Sequence, residues 1–215
     1  KELASNILKI KQSNTPPIKI LVTNTVLAVV SKKIIAFRKI YPHIDFEFST
    51  IQWEHQHDNL ANSSHDLYIL NETKNLPKRI EAVDIGYYQI VMVAPFNHPF
   101  QGKSISAELL NDLTFITTGD ESASQLFQNK CFKKWPYTGK LLRMDSYAAV
   151  KDCVGAGVGV AMLPNIVVAD DIENKRLCEL KFPIDSPTYS IQLAHKRELN
   201  ESMQLFYNYM VKNGL

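Results

Sequence analysis

The sequence is poor in cysteine, since its 215 residues include only Cys131, Cys153 and Cys178. Three widely spaced cysteines cannot build a disulfide framework, and they lack the paired spacing of a zinc site. The sequence therefore argues against a disulfide-stapled secreted domain and against a structural zinc protein. It favours a reducing compartment, and we predict a cytoplasmic protein.

Long apolar runs and an excess of one charge are also missing. No stretch is long and apolar enough to predict a signal peptide or a membrane span. Lysine and arginine total 24 against 22 acidic residues, which gives a net charge of +2. Neither a helix-turn-helix pattern nor an RNA-binding signature is present, so we predict no nucleic-acid binding by this chain itself. The sequence starts at Lys1 rather than Met, and we expect a fragment of a longer protein.

The residues that catalysis or metal binding would need are not arranged for either role. The motifs Ser-x-x-Lys and Gly-x-Ser-x-Gly are absent. His55 and His57 would point apart on a helix, and Asp170 and Asp171 suit a solvated helix face. We predict no catalytic residue, no metal and no cofactor. Cys131 lies near several lysines that would favour a thiolate, which leaves a redox-sensing role open, although no second cysteine is close in sequence.

Strands and helices alternate along most of the chain. Residues 18–22 predict a strand, 23–25 a polar turn and 26–41 an amphipathic helix, which together form a βα unit. Similar alternation continues, and the pattern starts again near residue 141. It predicts parallel sheets in an α/β fold with two similar halves.

The segment 153–164, CVGAGVGVAMLP, has three glycines at every second position. A phosphate-binding loop needs glycines between a strand and the helix that follows it, whereas here a capped helix precedes them and a strand follows. The segment therefore predicts a structural turn. We expect Gly157 to end the helix with positive φ, and Gly155 and Gly159 to permit close approach of neighbouring chain.

Several segments together resemble the effector-binding domain of LysR-type transcriptional regulators over essentially the whole chain. They are Phe37–Pro42, Leu60–Ile69, the His-Pro loop Pro95–Phe100 and, most specifically, Val154–Pro164. The resemblance implies a type 2 periplasmic-binding-protein-like fold, in which two Rossmann-like subdomains are joined by two crossover strands and hold a small molecule in their cleft. It implies residues 16–94 and 190–215 for subdomain I and 95–189 for subdomain II.

The resemblance also implies how the chain assembles and acts. Residues 1–15, with a stripe of Leu3, Ile7 and Ile10, would be the end of a linker helix, although packing of that stripe on its own domain is also open. A winged helix-turn-helix would precede Lys1, so promoter DNA would be bound only by that missing part. We expect a homodimer or homotetramer with no membrane partner. The alternative is a solute-binding protein of a transport system, whose fold is similar.

Polar residues stand where the predicted strands end, which is where open α/β sheets bind ligands. The candidate ligand-binding residues, which match the family's cleft, are Thr23, Asn24, Thr25, Thr50, Asn71, Thr118, Gly119 and Ser146. Thr25 is the first choice for direct contact, whereas helix capping is an equally good interpretation of Asn24 and Ser146. Because these positions carry hydroxyls and amides without lysine or arginine, we predict a small polar effector, anionic and bound by neutral donors.

Overall fold

The computed structural model of the protein describes residues 16–51, 60, 62–71, 79–118, 122–196 and 198–215. The predicted helix at 2–11, most of the predicted helix at 54–62, and Gly119 lie outside these residues.

The described elements alternate as the sequence pattern predicts. In chain order they are β1 (Ile18–Thr23), α1 (Asn24–Ile40), β2 (Phe46–Ile51), β3 (Leu67–Asn71), β4 (Glu81–Tyr88), β5 (Ile90–Pro95), α2 (Ala107–Asn111), β6 (Phe115–Thr118), α3 (Ala123–Lys134), β7 (Leu141–Met144), α4 (Tyr147–Gly155), β8 (Val160–Pro164), α5 (Asn165–Glu173), β9 (Leu177–Leu180), β10 (Tyr189–His195) and α6 (Glu201–Asn213). They form two compact units.

The first unit contains described residues up to 87 together with those from 190 onward. Its five-stranded sheet has the order β2-β1-β3-β10-β4, in which β1 is parallel to β2 and β3, and β10 is antiparallel to β3. On one face α1 and α6 meet through Phe37 and Phe206, whose rings lie edge to face with centroids 5.1 Å apart. On the other face Leu21, Tyr68 and Leu70 belong to an apolar cluster. The parallel pairing brings the carboxyl ends of β1, β2 and β3 to one edge.

The second unit contains the described residues from 88 to 189. Its sheet has the order β7-β6-β8-β5-β9, with β6 parallel to β7 and β8, and β5 antiparallel to β8 and β9. One face packs Val93, Ile116 and Leu163 against Val150 and Val154 of α4. The prediction of an α/β fold with two halves is confirmed. The prediction of parallel sheets is wrong in part, because β10 in the first sheet and β5 in the second run antiparallel to their neighbours.

Within the described ranges after residue 79, the chain passes from one unit to the other at residues 87–88 and 189–190. The two second-unit residues at these points, Tyr88 and Tyr189, stack with ring centroids 5.1 Å apart and planes inclined by 17°. Burial raises the pKa of both phenols. This aromatic contact therefore joins the two residues at which the segment 88–189 of the second unit begins and ends.

The glycine segment is a helix-terminating turn. Gly157 has φ +79, and the N–H groups of Gly157 and Val158 donate to the carbonyls of Val154 and Cys153 at 2.9 and 3.0 Å. This is the Schellman pattern, which satisfies the last carbonyls of α4. Gly159 lies against the Thr114 carbonyl, so the predictions for Gly157 and Gly159 are confirmed. The prediction for Gly155 is wrong, because a side chain there would have no neighbour nearer than 3.6 Å.

Candidate functional site

Helix α1 begins without a side-chain cap. Thr23 occupies the N-cap position with φ −72 and ψ 144, and its side chain makes no capping hydrogen bond. By contrast, α2, α3, α4 and α6 are capped by Ser106, Ser122, Ser146 and Asn200. The first N–H groups of a helix carry partial positive charge. The start of α1 therefore presents donors that the N-cap side chain does not satisfy.

The hydroxyl of Thr23 is itself a buried polar group. The residue is 1% exposed, and Oγ1 has no hydrogen-bond partner among the described residues. An unsatisfied buried hydroxyl costs about 1–3 kcal/mol of folding free energy. Thr25 is 5% exposed in the first turn of the same helix, whereas Asn24 is exposed and does not cap it. The edge at the end of β1 thus combines a helix start that lacks a side-chain cap with a buried hydroxyl.

Thr50 and Asn71 lie at the same edge but on the opposite face of the sheet from Thr23. Thr50 pairs with Val22, while Thr23 pairs with Ile51. Because Val22 also pairs with Ile69, the alternation of the strand places Asn71 on the face of Thr50. Thr50 is exposed, whereas Asn71 is 1% exposed and ends β3. The structure therefore brings these predicted residues of the first unit to one edge of the sheet. The side chain of Thr23 lies on one face, and those of Thr50 and Asn71 lie on the other.

The predicted residues of the second unit are partly engaged in capping. Ser146 Oγ accepts the Ala149 N–H at 3.2 Å, so the capping interpretation of Ser146 is confirmed. Thr118 Oγ1 lies 3.2 Å from the hydroxyl of Ser122, which caps α3 by accepting the Gln125 N–H. Both contacts order the ends of β6 and β7 and the helices that follow them.

Ser124 is a candidate that the sequence analysis missed. It is the second residue of α3, which is also the position of Thr25 in α1, and it is 2% exposed. Its hydroxyl has no hydrogen-bond partner among the described residues. The signal that could have found it is the recurrence of a hydroxyl two residues after the N-cap in both βα units.

Two groups whose side chains could take part in chemistry are instead engaged in structural contacts. Asp171 is 8% exposed and lies 2.8 Å from Lys151 Nζ, and it also accepts the Arg176 Nε–H at 2.6 Å. The expectation that Asp171 occupies a solvated face is therefore wrong, because α5 turns it toward two cations. Ser63 Oγ lies 2.5 Å from His65 Nδ1 and also accepts the His65 N–H, so this pair closes a local turn. Burial lowers the pKa of His65.

Cys131 does not have the surroundings of a reactive thiol. It is fully buried, and this burial raises its pKa to about 11, although Lys130 and Lys134 act in the opposite direction. Its thiol is therefore protonated at neutral pH. Within the part of the chain that the structure describes, no three His, Cys, Asp or Glu residues are grouped to hold a metal ion. Among the same residues, no helix has the length and apolar character to cross a bilayer.

Comparison with known proteins identifies the family. The LysR substrate binding domain matches residues 11–214, so the chain belongs to this family of effector-binding domains of LysR-type regulators. The HTH-type transcriptional regulator YwqM of Bacillus subtilis (strain 168), itself uncharacterized, is 28% identical over 163 residues, which are 74% of this chain and 55% of that protein. The chain thus spans about half the length of this curated relative.

Solved structures share the fold. The regulatory domain of CcmR from Synechocystis PCC6803, solved in complex with 2-PG, superposes with a TM-score of 0.75 at 21% identity, over 91% of this chain and 96% of that one. The effector-binding domain of QuiR, solved in complex with shikimate, gives a TM-score of 0.66 at 21% identity, over 94% and 98%. The predicted type 2 periplasmic-binding-protein-like fold is confirmed, and the family assignment does not favour the transport alternative.

Proposed function

We propose that this chain is the effector-sensing part of a LysR-type transcriptional regulator, and that a small anionic metabolite binds at the start of α1 in the first unit. The observation that carries the proposal is the buried, unpartnered hydroxyl of Thr23 beside an uncapped helix start. A ligand that accepts from this hydroxyl and from the first N–H groups of α1 would satisfy both at once.

An anion suits this edge because the available groups are donors. Helix N–H groups and hydroxyls can hold an anion without a full countercharge, and each such bond contributes on the order of 1.5–3 kcal/mol. The candidate residues of the first unit include no acid that would repel it; they are Thr23, Asn24, Thr25, Thr50 and Asn71. Three or four bonds correspond to roughly micromolar to millimolar affinity after the cost of association, which suits the sensing of a metabolite.

The second unit supplies a similar but separate set of donors. Ser124 offers a buried hydroxyl in the first turn of α3, and Thr118 ends the preceding strand. Gly119, which follows Thr118, remains a candidate from the sequence. The predicted cleft between subdomains and the boundaries at residues 94–95 and 189–190 stay predictions.

The proposal extends to the whole regulator. Effector binding would shift an equilibrium between two arrangements of the domain, and this shift would be transmitted to a DNA-binding domain that precedes it. We infer a cytoplasmic homo-oligomer that binds promoter DNA through that domain and has no catalytic activity. Membership of a regulator family supports each of these inferences.

The decisive experiment is the substitution Thr23→Val, which keeps the shape of the side chain and removes its hydroxyl. Calorimetric titration and thermal shift with sulfate, phosphate, shikimate and other small carboxylates should show stabilisation of the parent protein by at least one anion. The variant should bind that anion about tenfold or more weakly, since it loses one charge-assisted bond. Without ligand, its melting temperature should be unchanged or raised, because a buried unsatisfied hydroxyl has been removed.

The matched control is Thr138→Val, the same chemical change at an exposed position in the second unit. It should leave anion binding unaltered. If only cationic or wholly apolar compounds stabilise the parent, or if the Thr23 variant responds to the anion as the parent does, the proposed site is wrong.

A further inference from the structure

The hydroxyl of Thr23 is flanked by apolar side chains of the two neighbouring strands. Thr23 pairs with Ile51 of β2, and neighbouring strands lie about 4.8 Å apart, so the two side chains are adjacent on one face of the sheet. On the other side of β1, the pairing of Val22 with Ile69 and the alternation of the strands place Leu70 on this same face. The neighbouring side chains on β2 and β3 therefore offer the hydroxyl no polar atom.

Both flanking side chains belong to the apolar cluster of the first unit. Its buried members are Leu21, Ile51, Leu60, Tyr68, Leu70 and Ala194. The one hydroxyl among these six, that of Tyr68, donates to the carbonyls of Ser63 and His65 at 3.2 and 2.9 Å, so it is engaged elsewhere. Ile51 keeps the largest exposed fraction of the six, 8%. The cluster therefore comes nearest to solvent at the side chain that pairs with Thr23.

The burial of the Thr23 hydroxyl restricts the charge that a ligand can carry there. Thr23 is 1% exposed, so the atom that accepts its hydrogen bond must give up most of its hydration. The cost of desolvating an ion rises with the square of its charge, which makes a dianion about four times as costly as a monoanion of the same size. Lysine and arginine occur neither among the six buried cluster members nor among the candidate ligand residues of the first unit, so none of these side chains offsets that cost.

We propose that the effector is an organic monocarboxylate with a small apolar substituent on the carbon next to the carboxylate. The carboxylate accepts from the Thr23 hydroxyl and from the start of α1, and the substituent packs on Ile51, which makes Ile51 a residue that determines specificity. This inference rests on the proposed function and narrows its ligand from anions in general to one class. Sulfate is disfavoured, because it has no apolar group to cover Ile51 and brings a second charge into an apolar setting.

The first test compares isobutyrate, acetate and sulfate as ligands of the whole chain by calorimetric titration. Isobutyrate should bind about tenfold more tightly than acetate, the gain expected from burying its two further methyl groups. It should also bind at least tenfold more tightly than sulfate, because only sulfate carries two charges. Binding of acetate or sulfate as tight as that of isobutyrate would overturn the inference.

The second test is the substitution Ile51→Thr, which keeps a β-branched side chain but replaces apolar surface with a hydroxyl. The ratio of isobutyrate to acetate affinity should fall from about tenfold toward one, since the methyl groups lose their apolar contact. The matched control is Ile18→Thr, the same change at the other end of β1 and on the opposite face of the sheet, where Ile18 is 2% exposed. It should keep the ratio of the parent, and an equal fall in both variants or an unchanged ratio in Ile51→Thr would overturn the role of Ile51.

Circular dichroism at the titration temperature shows whether each variant is folded, and the comparison of the three anions on the parent needs neither variant. Failure of the inference is distinguishable from failure of the proposed function. If sulfate or acetate binds as tightly as isobutyrate and Thr23→Val weakens them all, the anion site stands and the apolar specificity is wrong. If no anion binds the parent, or if Thr23→Val leaves isobutyrate binding unchanged, the site itself is wrong and the inference falls with it.

Discussion

At the scale of single residues, two hydroxyl groups are buried in positions where the surrounding described residues offer them no hydrogen bond. Thr23 Oγ1 and Ser124 Oγ are buried near the starts of α1 and α3 without hydrogen-bond partners among the described residues. A valine or alanine at these positions would leave no polar group unsatisfied, so stability alone does not explain the choice. Local conflicts of this kind are expected at functional sites, where a ligand supplies the missing partner.

The sequence could indicate these residues only in part. Thr23 was predicted among the ligand residues because it follows a strand and precedes a helix, but Thr25 was preferred for direct contact. What distinguishes Thr23 is that its hydroxyl is buried without a hydrogen-bond partner among the described residues, and this depends on tertiary packing. Ser124 was missed because a serine in the first turn of a helix is common and has no periodic signal.

Cys131 allows a prediction about thiol chemistry. Because its thiol is fully buried with a pKa raised to about 11, we expect iodoacetamide to modify Cys131 far more slowly than the half-buried Cys153 in the native protein near neutral pH. The rate at Cys131 should rise about tenfold per pH unit toward that pKa while the protein stays folded. Mass spectrometry of peptides after timed alkylation measures both rates.

The control for this measurement is the denatured chain, in which all three cysteines should react at similar rates. Native modification of Cys131 at the rate of Cys153 would contradict the prediction and would support the redox-sensing role that the neighbouring lysines suggested.

At the scale of elements, the turn between α4 and β8 depends on two glycines for different reasons. Gly157 supplies a left-handed conformation, whereas Gly159 supplies space, because a Cβ there would overlap the Thr114 carbonyl. That carbonyl accepts the Val160 N–H at 2.9 Å and so connects the turn to the strand pairing of β6 with β8.

We therefore predict opposite effects for two alanine substitutions in this segment. Gly159→Ala must displace backbone and should lower the free energy of unfolding by about 1–3 kcal/mol. Gly155→Ala lies in the last turn of α4 with no atom nearer than 3.6 Å to the added carbon, so it should leave stability unchanged or raise it by up to about 1 kcal/mol. Urea unfolding of the parent and both variants measures the difference. Equal destabilisation by the two changes would show that the turn has been misinterpreted.

The order of elements was largely readable from the sequence, but the pairing of strands was not. Hydrophobic runs and cap residues predicted β1, α1, α4 and β8 well, because each has a strong apolar pattern. The strand β4 was missed, since Asp84 and Gly86 disfavour strands and only Ile85 and Tyr88 of its eight residues are buried. The strand β9 has only four residues, which is too short for a strong periodic pattern. That β5 pairs with β8 and β9 of the second unit depends on contacts across more than 60 residues, which local patterns do not encode.

At the scale of the whole molecule, the chain is one family domain with two compact units, and both its sheets have edge strands. β2 and β4 border the first sheet, and β7 and β9 border the second. Edge strands and exposed apolar side chains are the usual sites of association between copies. On β7, Leu141 is 60% exposed.

Among the described residues of the first unit, helix α1 carries two largely exposed isoleucines. Its inner side buries Val26, Val30 and Phe37, whereas Ile35 on its outer side is 62% exposed and Ile40, its last residue, is 59% exposed. A largely exposed isoleucine on the outer side of a helix becomes buried when two copies pair through that side. This surface is therefore our candidate for self-association, in line with the homo-oligomer proposed above.

The last prediction is that the chain self-associates in solution through α1, as sedimentation velocity over a range of protein concentrations would show. Ile35→Asp should weaken association by roughly tenfold or more, because burying an isoleucine contributes about 1.5–3 kcal/mol and a charge opposes that burial. The matched control is Val211→Asp, which introduces the same charge at a 43% exposed position on α6 and should leave the association unchanged. A parent protein that stays monomeric at high concentration would contradict self-association. An equal loss in both variants would show that net charge, rather than the α1 surface, controls it.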